Sequence, residues 1–278
     1  MRLNDLDFHV EIDGNGPPLL LLHGFTGSVR AWDALRPAIR SFARLITIDL
    51  IGHGRSAVPD DPARYSLEWS TRDLAALLDG LELDVVDVLG YSMGGRVALQ
   101  FAVDAPERVR TLILESASPG IEDDLQRRRR MDSDAALAER ILADGIEAFV
   151  AEWERLPLLA PAAHVSEVDR LQHTAERLRN NPLGLANSLR GMGAGQQTPL
   201  WPALADLEPP VLLIVGERDP RYRHIAERMR ALIPRCKVAV VASAGHTVHV
   251  DAPDTFVRLV EAALDDPKSG PGRLVLRL

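Results

Sequence analysis

Apolar and polar positions along the chain fall into two alternating rhythms. Phe8-His9-Val10-Glu11-Ile12-Asp13 changes character at every residue, which predicts a strand, and Gly14-Asn15-Gly16-Pro17-Pro18 ends it. Residues 19–22 are continuously apolar, the pattern of a strand buried on both faces. Further strands are predicted over 43–49, 85–89, 109–114, 211–215 and 238–241. Between them the apolar spacing turns helical. It predicts helices around Trp32, Leu35 and Ile39, over 69–81 with Leu74, Leu77 and Leu78 on one face, over 97–102, and near 225–232 and 255–264. Strands alternating with helices imply right-handed crossovers and a mostly parallel α/β sheet. The rhythm breaks after Glu115: from Pro119 to Pro199 the chain reads as helical and charged, without buried-strand runs. The expected organisation is an α/β core over 1–118 and 200–264, a helical cap inserted at 119–199, and a tail of unassigned role at 265–278.

One junction between a strand and a helix carries chemistry. Gly90-Tyr91-Ser92-Met93-Gly94 lies between the run 85–89 and the helix that follows, the context of a nucleophile elbow. The sharp turn needs small residues on both sides of Ser92, and Gly90 and Gly94 supply them. A serine used as nucleophile or base needs a histidine, and the histidine needs a carboxylate that fixes its tautomer. On this type of sheet the order along the chain is Ser, acid, His. Asp219, just past the strand at 211–215, and His246, in Ala244-Gly245-His246, fit that order. His249 is the rival base and Glu115 the rival acid. The loop His23-Gly24-Phe25 is placed to supply the Phe25 amide to an oxyanion hole together with that of Met93. His23 and His53 are expected to hold loop backbone.

Composition narrows the class. The net charge of −8 argues against a nucleic-acid partner. No apolar run reaches the roughly 20 residues that cross a bilayer, so no membrane insertion is expected. The single cysteine, Cys236, offers neither an intrachain disulfide nor a metal cluster, and a cytoplasmic protein is the expected class. Of the 32 basic residues only Lys237 and Lys268 are lysines, a bias that demands scepticism about any single arginine. Two arginine features still stand out. Arg96, one turn after Ser92, opposes the helix macrodipole by about 0.3–1 kcal/mol, and either a buried acid or an anionic ligand should offset it. In the cap, Arg127-Arg128-Arg129-Arg130 is followed by Arg177, Arg179 and Arg190. Arg127 and Arg130 share a helix face, which leaves Arg128 and Arg129 pointing elsewhere. Solvated surface is the alternative for the whole run.

The chain resembles the 2-succinyl-6-hydroxy-2,4-cyclohexadiene-1-carboxylate synthases of menaquinone biosynthesis, which are built on the α/β-hydrolase fold. The stretches that carry the resemblance are HGFTGS from His23, GYSMGGR from Gly90, ESASPGIEDDLQRRRRMD from Glu115, GIEAFVAEWERLPL from Gly145, GLANSLRGMGAGQQTPLW from Gly184, GERDPRY from Gly216 and AGHTVHVDAP from Ala244. Pro220-Arg221-Tyr222 departs from the family, which would place a lysine and a phenylalanine there. The resemblance implies a lyase that eliminates pyruvate from a small tricarboxylate, with Ser92, Asp219 and His246 as the catalytic set. It further implies that Arg96, Arg130 and Arg179 hold carboxylates and that Tyr91 and Trp153 line the pocket. Neither cofactor nor metal is implied. A hydrolase working through an acyl-enzyme, and a non-catalytic receptor on the same fold, are the alternatives.

Overall fold

The computed structural model describes residues 1–159, 162 and 164–265. Of the expected tail, all but Asp265 lies outside the described residues. A short hairpin, β1 (Arg2–Leu3) and β2 (Leu6–Asp7), precedes the main sheet. That sheet contains β3 (Val10–Asp13), β4 (Pro18–Leu22), β5 (Arg44–Ile48), β6 (Val86–Tyr91), β7 (Val109–Glu115), β8 (Val211–Gly216) and β9 (Cys236–Val241). Its spatial order is β3-β5-β4-β6-β7-β8-β9, and only the β3–β5 pair is antiparallel.

The continuous apolar runs are explained by two cores, one on each face of the sheet. Leu20, Leu22, Val88, Leu112, Leu114, Leu213 and Val215 pack on one side, while Leu19, Leu21, Leu89, Ile113, Leu212 and Ile214 pack on the other. Each such side chain, moved out of water, contributes roughly 1.5–3 kcal/mol. The first face is covered by α2 (Leu67–Gly80), α3 (Met93–Asp104) and α7 (Pro220–Leu232). The second is covered by α9 (Pro253–Asp265) and by the segment around Trp32 and Ile39.

That last segment differs from the continuous helix the spacing predicts. It forms a 3₁₀ turn over Val29–Trp32 and a single α turn, α1 (Arg36–Ile39). Pro37 sits in the first turn of α1, where its missing N–H costs nothing, and its ring prevents the two pieces from fusing.

Between β7 and β8 the chain forms α4 (Asp124–Trp153), α5 (Glu167–Leu178) and α6 (Pro182–Met192). Gly145, at φ 84° and ψ 173°, kinks α4. Ala138, Ile141, Phe149 and Val150 of α4 meet Leu185, Ala186 and Leu189 of α6 in a separate small core, against which Phe25 and Trp153 also pack. By contrast α5 buries no residue fully. Register places Leu22 beside Gly90 and Tyr91 beside Glu115, so the loops that carry candidate residues leave the sheet together at the carboxyl ends of its parallel strands.

Two fully enclosed histidines sit under those loops. Burial lowers His53 to about 3, helped by neighbouring His23, and burial lowers His23 itself to about 4. Both lie below the ordinary histidine value of 6.5, so between those limits the unfolded chain binds protons that the native one refuses. Their contribution to stability is therefore present at neutral pH and is lost as pH falls through that window. Asp49, raised by burial, acts in the opposite sense. The urea midpoint is predicted to drop between pH 6.5 and 4.5, and to drop less in His53→Gln. An identical pH slope in the variant would contradict the assignment.

Candidate active site

Ser92 occupies the single residue between β6 and α3, at φ 51° and ψ −104°, a positive-φ conformation that a side chain rarely accepts. Its neighbours make the turn possible. A Cβ on Gly94 would collide with the Leu22 carbonyl, and one on Gly90 with the Gly94 carbonyl. The Ser92 N–H donates to the Glu115 carbonyl at 2.8 Å, tying the elbow to the end of β7.

Ser92, Asp219 and His246 come together in one line. The Asp219 carboxylate accepts from His246 Nδ1 at 2.8 Å through Oδ2, and His246 Nε2 lies 3.1 Å from Ser92 Oγ. An ionised carboxylate can only accept, so the ring hydrogen sits on Nδ1 and the Nε2 lone pair faces the serine. The other Asp219 oxygen, Oδ1, accepts the Tyr222 N–H at 3.1 Å and so caps α7. That cap fixes the carboxylate, and the Tyr222 ring packs against His246 at 4.6 Å between centroids, tilted by 58°.

The two rivals, Glu115 and His249, pair with each other. Glu115 Oε2 accepts from His249 Nδ1 at 2.7 Å, and Oε1 accepts the His249 main-chain N–H at 2.9 Å. Both side chains are buried.

Met93 opens α3, so its N–H has no partner within the helix. Phe25 follows Gly24, which lies so close under Tyr91 that a Cβ there would press into the ring at 2.6 Å. His23 supports this loop: its Nε2 accepts the Leu50 N–H at 3.0 Å and its Nδ1 donates to the Gly24 carbonyl at 2.8 Å. His53 Nδ1 donates to the Ile51 carbonyl at 3.0 Å, holding the next turn.

A cavity of about 320 Å³ opens beside the elbow, lined among others by Gly24, Phe25, Tyr91, Trp153, Arg177 and Thr247. Tyr91 shares a hydrogen bond with Thr247 Oγ1 at 2.9 Å, and Trp153 meets Phe25 edge to face at 5.4 Å. On α5, Arg170, His173, Thr174 and Arg177 all border this space. Their spacing of three, four and seven residues is one face of a helix, a signal present in the sequence but obscured by the general excess of arginine.

The arginines separate clearly. Arg96 is buried and donates from Nη1 to the Met192 carbonyl at 2.7 Å; it makes no ion pair with any described residue. Burial brings its guanidinium down to about 10, still cationic at neutral pH. Arg130 is near enough for the like charges to interact; the buried Asp134 carboxylate, which accepts from Arg130 Nε at 2.8 Å, also attracts Arg96 from a greater distance. Arg127 and Arg130 are half-buried, whereas Arg128 and Arg129 are exposed. Arg179, like Arg96 and Arg130, is not among the residues that line the cavity. Its side chain is 66% exposed, pairs with Glu176 at 2.9 Å, and borders a separate outer cleft beside Arg30 and Arg55. Arg177, two residues earlier, takes the cavity position because the helical repeat turns Arg179 away. Its Nη1 contacts Glu154 at 2.7 Å, and Thr174 Oγ1 donates to the same oxygen.

Among the described residues no cluster of His, Cys, Asp and Glu is placed to hold a metal ion, and no helix is long and apolar enough to cross a membrane.

Comparison with known proteins agrees with this architecture. The alpha/beta hydrolase fold family matches residues 17–253. A Bacillus subtilis protein that carries the name 2-succinyl-6-hydroxy-2,4-cyclohexadiene-1-carboxylate synthase provisionally is 44% identical over 88% of this chain and 89% of its own. The Klebsiella pneumoniae protein of the same name is 33% identical over 87% and 93% respectively. The solved structure of MenH from S. aureus superposes with a TM-score of 0.89 at 34% identity, covering 94% of this chain and 99% of that one. The chain therefore belongs to the α/β-hydrolase fold family and, within it, to the 2-succinyl-6-hydroxy-2,4-cyclohexadiene-1-carboxylate synthases.

Proposed function

We propose that the chain is a lyase that eliminates pyruvate from 2-succinyl-5-enolpyruvyl-6-hydroxy-3-cyclohexene-1-carboxylate, with Ser92, polarised by His246 and Asp219, as the base. Ring carbon 2 of this substrate lies between the succinyl ketone and the ring double bond, so its proton is acidic. Ser92 Oγ takes that proton while its own passes to His246 Nε2. The electron pair shifts through the ring to give the 2,4-diene, and the carbon–oxygen bond at ring carbon 5 breaks. The leaving group departs as the enolate of pyruvate and is protonated at its methylene carbon, and loss of the proton from His246 Nε2 balances that uptake and restores the base. The main-chain N–H groups of Phe25 and Met93 would face the ketone oxygen, where enolate charge develops.

The observation that carries this reading is Arg96. It is a buried cation one turn from the base, hydrogen-bonded to one carbonyl and ion-paired to no described residue. Hydrolysis of a neutral ester has no use for such a charge. A tricarboxylate substrate supplies the missing anion, because a guanidinium grips a carboxylate through two parallel N–H donors. Arg130 lies beside Arg96, and Arg177 offers a further cation across the cavity from the elbow, in the role that the family resemblance gives to Arg179. Tyr91 and Trp153 form the apolar walls. A charged tricarboxylate does not cross a bilayer unaided, which favours a cytoplasmic enzyme beside those that make and consume its substrate.

Ser92→Ala and His246→Ala are each expected to lower kcat by about 10²–10⁴-fold. The double variant should lose little more, because the two act as one proton-transfer device. Additive losses would overturn the pairing.

The arginines give an internal contrast. Arg130→Ala and Arg177→Ala should lose about 10- to 150-fold in kcat/KM, the equivalent of one charge-assisted contact of about 1.5–3 kcal/mol. Arg128→Ala, Arg129→Ala and Arg179→Ala should stay near wild type. Equal losses at all five positions would mean a long-range field and not individual carboxylate contacts.

A further inference from the structure

A second carboxylate–imidazole pair lies beneath the first, and the proton transfer described above makes no use of it. Glu115 is the last residue of β7, fully buried, and touches both halves of the site. Its main-chain carbonyl accepts the Ser92 N–H at 2.8 Å, holding the elbow. Its side chain takes both the main-chain N–H and Nδ1 of His249, three residues after His246, at 2.9 and 2.7 Å. These bonds pin the start of α8 (Val248–Asp251), the turn that emerges directly from the His246 loop.

Three further rings hold the His249 imidazole, which also borders the cavity. Trp32 lies 5.0 Å away, Phe256 5.9 Å, and Tyr91 meets it edge to face at 4.8 Å. Tyr91 precedes Ser92, its ring contacts His246 at 5.6 Å, and its hydroxyl reaches Thr247 at 2.9 Å. A closed circuit results: Ser92 to Glu115, Glu115 to His249, His249 to Tyr91, and Tyr91 back to Ser92 through the chain and to Thr247 beside His246.

Two features separate this circuit from ordinary core packing. A buried carboxylate is costly unless its lone pairs are met, and an apolar pair would fill the same space without that cost. In addition, its contacts converge on the two groups whose separation must be right for proton transfer. Hydrogen bonds are directional where apolar contacts are not, so they fix distance as well as proximity.

We infer that Glu115 and His249 are positioning residues that set the Ser92–His246 distance by tying the nucleophile elbow and the histidine loop to one buried carboxylate. This rests on Ser92 and His246 being the catalytic pair. A displacement of 1 Å at reacting atoms costs about 10²-fold, so the circuit has leverage on rate out of proportion to its effect on substrate affinity.

The test uses kcat per active serine, with active sites counted by end-point labelling of Ser92 with a fluorophosphonate, so that misfolded protein drops out. Glu115→Ala should lower kcat per labelled site by about 10- to 100-fold with KM nearly unchanged. Glu115→Gln should restore most of the rate, because its amide can accept the His249 N–H and donate to Nδ1. If Glu115→Ala does not fold, His249→Phe in the Glu115→Gln background keeps a ring between Trp32 and Tyr91 and strands no charge. That double variant loses the Nδ1 bond and keeps the main-chain one, so its kcat per labelled site should fall between that of Glu115→Gln and that expected for Glu115→Ala. Unchanged kcat per labelled site in Glu115→Ala or in the double variant would overturn the proposal, as would a Gln variant as slow as Ala. Should those variants keep full rate while Ser92→Ala is dead, the proposal falls and the catalytic assignment of Ser92 stands. Should Ser92→Ala remain active, the assignment itself falls.

Discussion

A serine held at φ 51° and ψ −104° is the constraint on which the rest of the site depends. Such a conformation costs on the order of 1–3 kcal/mol and persists only where its surroundings leave no alternative. Here β6 enters from below and α3 leaves above, while Gly94 lies against the end of β4 and Gly90 against Gly94 itself. The hydrogen bond from Ser92 to Glu115 closes the remaining side. With the backbone so fixed, the hydroxyl lies 3.1 Å from His246 Nε2, and the first N–H of α3, which has no partner within the helix, belongs to the next residue. In the proposed reaction, one strained residue thereby serves both the base and the oxyanion donor.

The charges around that residue are arranged unevenly, and the unevenness fits its chemistry. Arg130 and Arg177 are already oriented by Asp134 and Glu154, so little side-chain freedom remains to be lost when an anion arrives. Among the described residues Arg96 has one hydrogen bond, to the Met192 carbonyl, and a more distant attraction to Asp134. It also stands at the positive end of α3, where a second positive charge is unfavourable. The chain thus keeps, one turn from Ser92, a buried cation that forms no ion pair with any described residue and whose attracting carboxylate, Asp134, is already engaged by Arg130, a state that a bound carboxylate would relieve. An enzyme built to cleave neutral esters would gain nothing from this arrangement.

Much of the architecture is legible in the sequence because the chain's local rules agree with one another. Continuous apolar runs mean strands covered on both faces, as Leu19 to Leu22 show by dividing alternately between two cores. Two glycines about a serine mean a tight turn, and the order of Ser92, Asp219 and His246 brings three distant residues into hydrogen-bonding range. What stays hidden depends on phase and partnership. Pro37 breaks a helix whose apolar spacing looks continuous. Arg177 and Arg179 differ by two residues, about half a turn, and composition alone offers no way to choose between them. Glu115 and His249 each resemble a spare member of the triad; only their mutual contact, across 134 residues of sequence, shows that they belong to each other.

Elimination requires Ser92 to act as a base and not as an acyl-accepting nucleophile. The direct measurement is a single turnover with the enolpyruvyl substrate, following pyruvate, diene absorbance and the intact mass of the protein together. Pyruvate and diene rising in step, one for one, with no mass added to Ser92 at any time, is the predicted result. A covalent adduct on Ser92 that forms and decays at the rate of turnover would contradict it.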